Sequence, residues 1–302
     1  MNIVIIEPTG LDGDYYQHAL PHHDVREIDS RGWSDAQLID HIKDAEIVAL
    51  CNRPLSEQVL TQLPHLKMLA VAFTGTDHIH MPTVNKREIK LVTTAGYANT
   101  AVAELVIGLM IALARNIVKD HQNMRYGAVT NSGYELKNKN LAIVGYGAIG
   151  KYVGRLARAF GMNILTYDNH TETSLTRLVS RADFVSIHVP LVAGTRHLID
   201  QQVLAAMKSN AYLVNCARGG VVDQQALIRA LNQNRIAGAA IDVFDNEPPL
   251  SEDHPLFNAK NIILTPHIGF NTHEAISDRA GLNIRNIRQF CYEAGESFIT
   301  YC

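Results

Sequence analysis

The chain has 302 residues, 47% of them apolar and 19% charged, which suffices for two domains of ordinary size around buried cores. Its formal net charge of −3 supplies no broad basic field, so nucleic acid is excluded as an expected partner. Cys51, Cys216, Cys291 and Cys302 form no CxxC pair. Reduced thiols in a cytoplasmic setting are therefore expected, with no disulfide framework.

The first seven residues lack a basic n-region and a small-residue cleavage site, so a first strand is expected there rather than a signal peptide. Strands are predicted at 2–7, 46–51, 67–73 and 90–93. An amphipathic helix over 34–43 is announced by Ser34-Asp35, a cap and an acid for the helix dipole. The most apolar stretch, 101–114, contains Glu104 and is shorter than the about 20 residues that span a bilayer. It predicts a buried helix over about 100–116 that also serves a homodimer contact, and no membrane association.

A second series of strands is predicted at 141–145, 163–168, 183–189, 211–217, 237–243 and 261–265. Helical segments such as 201–207 and 224–232 separate several of them, and a last helix over 272–290 is expected to return to the first domain. The alternation predicts an α/β chain of two doubly wound parallel-sheet domains. Residues 1–94 and 272–302 would form a smaller, flavodoxin-like substrate domain, and 95–271 a Rossmann domain.

Residues 141–144 run as a buried strand into Gly145-Tyr146-Gly147-Ala148-Ile149-Gly150, and helical periodicity follows over 151–160. In such a G-x-G-x-x-G turn Gly145 permits the tight bend, Gly147 admits a pyrophosphate and Gly150 lets the helix approach the strand. Ala148 and Ile149 open the helix, whose first amides face the phosphate charge. The next strand ends at Asp168, placed for the ribose hydroxyls. Neither Asn169 nor His170 supplies an arginine for a 2′-phosphate, so NAD is expected rather than NADP.

Oxidising a 2-hydroxy acid requires a carboxylate holder, a proton acceptor and a hydride acceptor. Arg218, Glu247 and His267 each lie at or just beyond a predicted strand end, where ligands of open α/β sheets bind. The arginine suits the carboxylate, the histidine the proton, and a carboxylate beside it favours the charged imidazole. Taken singly, each would be an ordinary loop residue; their order downstream of a dinucleotide turn points to chemistry. Asp242 reads equally as a turn cap, and Cys216 as a small core residue. His22-His23 and His78/His80 lack an acid or cysteine to complete a metal site, so no metal is expected. Arg53 could lean toward the active-site mouth or be an exposed loop residue.

Segments 99–116, 141–150, 188–200, 215–223, 241–249 and 265–270 resemble, in order, those of the D-isomer-specific 2-hydroxyacid dehydrogenases. The resemblance implies Arg218 as carboxylate and keto-oxygen binder, His267 as acid/base and Glu247 as its partner. It implies that His188, Val189 and Pro190 line the cofactor site, with Thr195 near the pyrophosphate and Asp242 on the nicotinamide side. Cys216, Ala217, Arg218, His267 and Gly269 would also border the cofactor, while Thr74, Gly75 and Thr76 offer backbone amides to the substrate. The sequence departs from the family at His80, often an acid, and just after Asp168.

The implied activity interconverts a small D-2-hydroxy acid and its 2-keto acid with NAD. Formate dehydrogenases of this kind carry Gln where Glu247 stands, which argues for hydroxy-acid chemistry. The chain is expected to lack the regulatory domain of long phosphoglycerate dehydrogenases. Two alternatives stay open: a phosphite-type oxyanion dehydrogenase, and an NADH-binding regulatory protein without turnover.

Overall fold

The computed structural model describes residues 1–8, 14–127, 132–246 and 249–295. Its chain divides into two compact units, Met1–Ala98 with Asn271–Cys302, and Asn99–Phe270. The first begins with β1 (Asn2–Ile5), α1 (Tyr15–Ala19), β2 (Asp24–Glu27), α2 (Asp35–Ile42) and β3 (Ile47–Leu50). It continues through α3 (Glu57–Thr61), β4 (Met68–Val71), α4 (Met81–Lys86) and β5 (Lys90–Thr93). The second opens with α5 (Asn99–Ala114), α6 (Ile117–Asn123), β6 (Asn140–Val144), α7 (Ala148–Ala159) and β7 (Asn163–Tyr167). There follow α8 (Leu175–Val179), β8 (Phe184–Ile187), α9 (Gln201–Ala206), β9 (Tyr212–Asn215), α10 (Gln224–Asn232), β10 (Gly238–Ile241) and β11 (Ile262–Leu264). The last helix, α11 (His273–Glu293), belongs to the first unit.

In the first unit five parallel strands run in the order β2-β1-β3-β4-β5, the flavodoxin-like arrangement. β3 and β4, Ile-Val-Ala-Leu and Met-Leu-Ala-Val, are buried at every position. Such unbroken apolar runs are what a parallel strand covered on both faces requires. Ile284, Ile287 and Cys291 of α11 join Ile3, Ile5, Ile47 and Met68 in one core cluster. Helix α2 starts at Ser34 in a capping box, where Gln37 N–H donates to the serine hydroxyl and Gln37 Oε1 accepts from Ser34 N–H. The sequence reading had no strand at β2. Its Asp-Val-Arg-Glu buries only Val25 and forms an edge strand because β1 presents a side to pair with.

The second unit is a six-stranded parallel sheet in the order β11-β10-β9-β8-β6-β7. Strand order reverses between β6 and β8, the switch point at which doubly wound sheets open a ligand crevice. Helix α7 turns Gly150, Val153, Gly154 and Ala157 inward. Helix α5 is apolar nearly all round and packs on α7, β9 and β10. The sequence reading gave its apolar surface to a subunit contact, but Val102, Val106, Leu109, Met110 and Leu113 are already buried within the single chain. Exposed apolar side chains come after it instead, at Ile117, Val118, Met124 and Tyr126. Asn116, at φ 54, ends α5 short of the expected boundary. No single described helix is long and apolar enough to cross a membrane.

Candidate active site

Every strand of the second sheet delivers a sequence-predicted site residue from its carboxyl end, so these residues share one edge of one sheet. Gly145 follows β6, Asp168 follows β7 and His188 follows β8. Cys216, Ala217 and Arg218 follow β9, Asp242 follows β10, and His267 and Gly269 follow β11. Thr74, Gly75 and Thr76 follow β4 in the other unit. Glu247 lies outside the described residues.

At the switch point Gly145 adopts φ 98, and a Cβ there would stand 2.7 Å from the carbonyl carbon of His188 and 2.8 Å from Val189 N. Only glycine lets these two strand ends meet so closely. A Cβ on Gly150 would collide with the Gly145 carbonyl oxygen, which fixes the closeness of α7 to β6. Gly147 differs: it caps the 12-residue α7 without a side chain, and a Cβ there would meet no atom within 4 Å. A helix start with no side-chain cap, facing open space, fits a pyrophosphate, whose charge the first-turn amides of Ala148, Ile149 and Gly150 would receive.

Asp168 Oδ1 accepts the His170 N–H at 3.0 Å and the Thr171 hydroxyl at 3.1 Å, closing a tight turn. Those bonds, the His170 amide foremost, hold its carboxyl below the usual range. The imidazole of His188 meets the hydroxyl of buried Ser186 at 2.8 Å, and burial depresses its pKa to about 4. Val189 and Pro190 continue from it into a loop fastened by Thr195, whose hydroxyl donates to Pro190 O at 2.5 Å and accepts from Val192 N–H at 2.9 Å.

On the half of the sheet that ends at β11, Asn215, Ile241 and Leu264 are in register on β9, β10 and β11. Asn215 shapes the loop beyond it, accepting the Ala217 N–H at 3.0 Å and donating to Arg218 O at 2.9 Å. Half-buried Arg218 donates from Nη1 to Ala217 O at 2.8 Å. Burial, with Asp242 nearby, pushes the Cys216 thiol well above its ordinary value, so it is no thiolate nucleophile at neutral pH. Asp242 is itself buried, accepting from the Thr265 hydroxyl and from Ile268 and Gly269 N–H. Desolvation raises its pKa in spite of those three bonds. Its role as cap to the histidine loop matches the turn-cap alternative weighed from the sequence.

Arg53 is not the exposed loop arginine that was one of its two expected forms. Its side chain is 14% exposed, donates to Ser30 O and Trp33 O, and lies 3.5 Å from Asp35. The loop that carries it is held by Glu7, whose Oε2 accepts the N–H groups of Cys51, Asn52 and Arg53 at 2.6, 2.8 and 2.9 Å. Sequence reasoning also passed over Ser186, Asn215 and Thr265. For the first two a signal existed, since a polar residue inside an otherwise apolar buried strand must bond to something specific. Among the described residues no group of three or more His, Cys, Asp or Glu could hold a metal ion.

Residues 107–269 match the family described as D-isomer specific 2-hydroxyacid dehydrogenase, NAD binding domain. Glycerate dehydrogenase of Methylorubrum extorquens is 34% identical over 302 residues, covering 95% of each chain. D-3-phosphoglycerate dehydrogenase of Methanocaldococcus jannaschii is 37% identical over 83% of this chain, which spans only 51% of that protein. The crystal structure of a glyoxylate reductase from Paecilomyes thermophila superposes with a TM-score of 0.88 at 28% identity, covering 99% of this chain and 97% of that one. With a dinucleotide turn at its switch point and this likeness, the chain belongs to the D-isomer-specific 2-hydroxyacid dehydrogenases, oxidoreductases that work with NAD(H).

Proposed function

We propose that the protein reduces a small 2-keto acid to the D-2-hydroxy acid, with Arg218 and His267 as its catalytic residues. The observation that carries this reading is the delivery of Arg218, Asp242 and His267 from the ends of three adjacent strands, β9, β10 and β11, in the unit that bears the dinucleotide turn. Bound NADH supplies the hydride. Arg218 offers a planar fork that grips the carboxylate and polarises the keto oxygen, presenting one face of the carbonyl. His267 donates the proton to that oxygen. Glu247 would favour the charged imidazole, as the family resemblance implies.

The backbone amides of Thr74, Gly75 and Thr76 are assigned to the substrate carboxylate. Asp168 is assigned to the ribose hydroxyls, where its charge opposes a 2′-phosphate and favours NAD over NADP. Glyoxylate and hydroxypyruvate are the first substrates to try, in keeping with the reductase and glycerate dehydrogenase relatives. A homodimer is also proposed, now through the exposed apolar side chains of Ile117, Val118, Met124 and Tyr126. A cytoplasmic setting is proposed with it.

The test is loss of NADH absorbance against glyoxylate, hydroxypyruvate, pyruvate and bulkier 2-keto acids, with NADPH in parallel. Turnover that falls about a hundredfold or more in His267→Ala, with NADH binding kept, supports the assignment. NADH binding without turnover of any acid refutes it.

A further inference from the structure

β10 ends one residue before Asp242, which is 1% exposed. Its Oδ1 accepts the Thr265 hydroxyl at 2.6 Å and the Ile268 N–H at 2.9 Å, and its Oδ2 accepts the Gly269 N–H at 2.8 Å. These donors bracket His267 on both sides in the chain. His267 itself sits at φ 55, and its N–H donates to Thr265 O at 3.0 Å. A left-handed non-glycine residue persists only where its surroundings hold it there. The approach is close as well, since a Cβ on Gly269 would lie 3.1 Å from Asp242 Oδ2.

The donor count explains why a carboxylate stands here. Two backbone N–H groups and a hydroxyl all point to one buried side chain, and only an ionised carboxylate accepts from all of them without offering a hydrogen. Asparagine has the same shape, but its amide nitrogen would face the Gly269 or Ile268 N–H, donor against donor. The titratable groups around Asp242 are His267 on the bracketed loop and the Cys216 thiol beyond the neighbouring β9, which burial keeps neutral.

We propose that Asp242 is a positioning residue for His267, acting by clamping the 265–269 loop in the left-handed form that aims the imidazole. This rests on His267 being the proton donor proposed above. The nicotinamide-side role that family resemblance gave to Asp242 has a different readout, since a cofactor contact alone would raise the Kd for NADH and leave the loop amides as protected as in wild type.

The experiment compares wild type, Asp242→Asn, Thr265→Val and Thr265→Ser, with and without His267→Ala. In the protein without substrate, amide hydrogen exchange at Ile268 and Gly269 should quicken about tenfold or more in Asp242→Asn and less in Thr265→Val. With the best 2-keto acid, kcat should fall roughly 10- to 100-fold in Asp242→Asn while the Kd for NADH changes less than about threefold. Thr265→Ser, which restores the hydroxyl, should recover what Thr265→Val loses. In the His267→Ala background Asp242→Asn should cost nothing further, because its effect passes through the imidazole. Losses that multiply in the double variant, or a Kd for NADH that rises in step with the loss of kcat/KM, overturn the proposal and favour a direct cofactor contact. Thr265→Val and Asp242→Asn keep it testable between them should either fail to fold. The exchange arm needs no turnover. Unprotected wild-type amides overturn the clamp even in an active enzyme, while protected amides without turnover of any acid overturn the proposed function and leave the clamp standing.

Discussion

Acidification should destabilise the nucleotide-binding unit through His188. Its imidazole is enclosed beside the Ser186 hydroxyl, and burial depresses its pKa from 6.5 to about 4. Between those values the unfolded chain binds a proton that the folded chain refuses. The stabilisation is thus complete above the unfolded pKa and is lost as pH falls toward the folded one. At 1.36 kcal/mol per pH unit, the loss reaches about 2 kcal/mol by about pH 5. That is an upper figure, since the residue as a whole stays partly accessible. The variant His188→Asn keeps an amide for Ser186 and does not titrate. Urea unfolding followed by far-UV circular dichroism, at about pH 7.5 and about pH 5, should show wild type losing about 2 kcal/mol more than the variant. Equal losses in the two proteins would refute the reasoning, because every other titrating group is common to both.

Three further outcomes are expected. Gly150→Ala, which sets a methyl group against the Gly145 carbonyl, should weaken NADH binding about 100-fold, or about 2.7 kcal/mol, by fluorescence titration; unchanged affinity would remove this turn from the cofactor site. Asp168→Ala should raise the ratio of NADPH to NADH kcat/KM about tenfold, and an unmoved ratio would free Asp168 of its discriminating role. Glu7→Ala deprives three amides of their acceptor and should destabilise the first unit by about 2–3 kcal/mol, read by urea unfolding with the emission of Trp33, the one tryptophan of the chain. A shift under about 0.5 kcal/mol would mean that water replaces the carboxylate.

The sequence by itself determined the parts whose physics is local. Unbroken apolar runs such as Ile47–Leu50 and Leu141–Val144 can be little other than buried parallel strands. The glycines at 145, 147 and 150 mark a strand, a turn and a helix within ten residues, and Asp168 stands where the next strand stops. Arg218 and His267 could be nominated because strand ends are where such sheets bind ligands. What only the tertiary structure decided depends on partners far off in the chain. β2 exists because β1 offers it an edge, and its own four residues bury only Val25. Glu7 meets its amides 44 to 46 residues away, and Arg53 turns back 20 to 23 residues to Trp33 and Ser30. The apolar surplus of α5 goes to α7, β9 and β10, leaving exposed apolar surface on the segment after it. Asp242 finds its three donors 23 to 27 residues on. Periodicity and turn chemistry are written in neighbouring residues, whereas the choice of a hydrogen-bond partner across a sheet edge is fixed only when folding brings the two strand ends side by side.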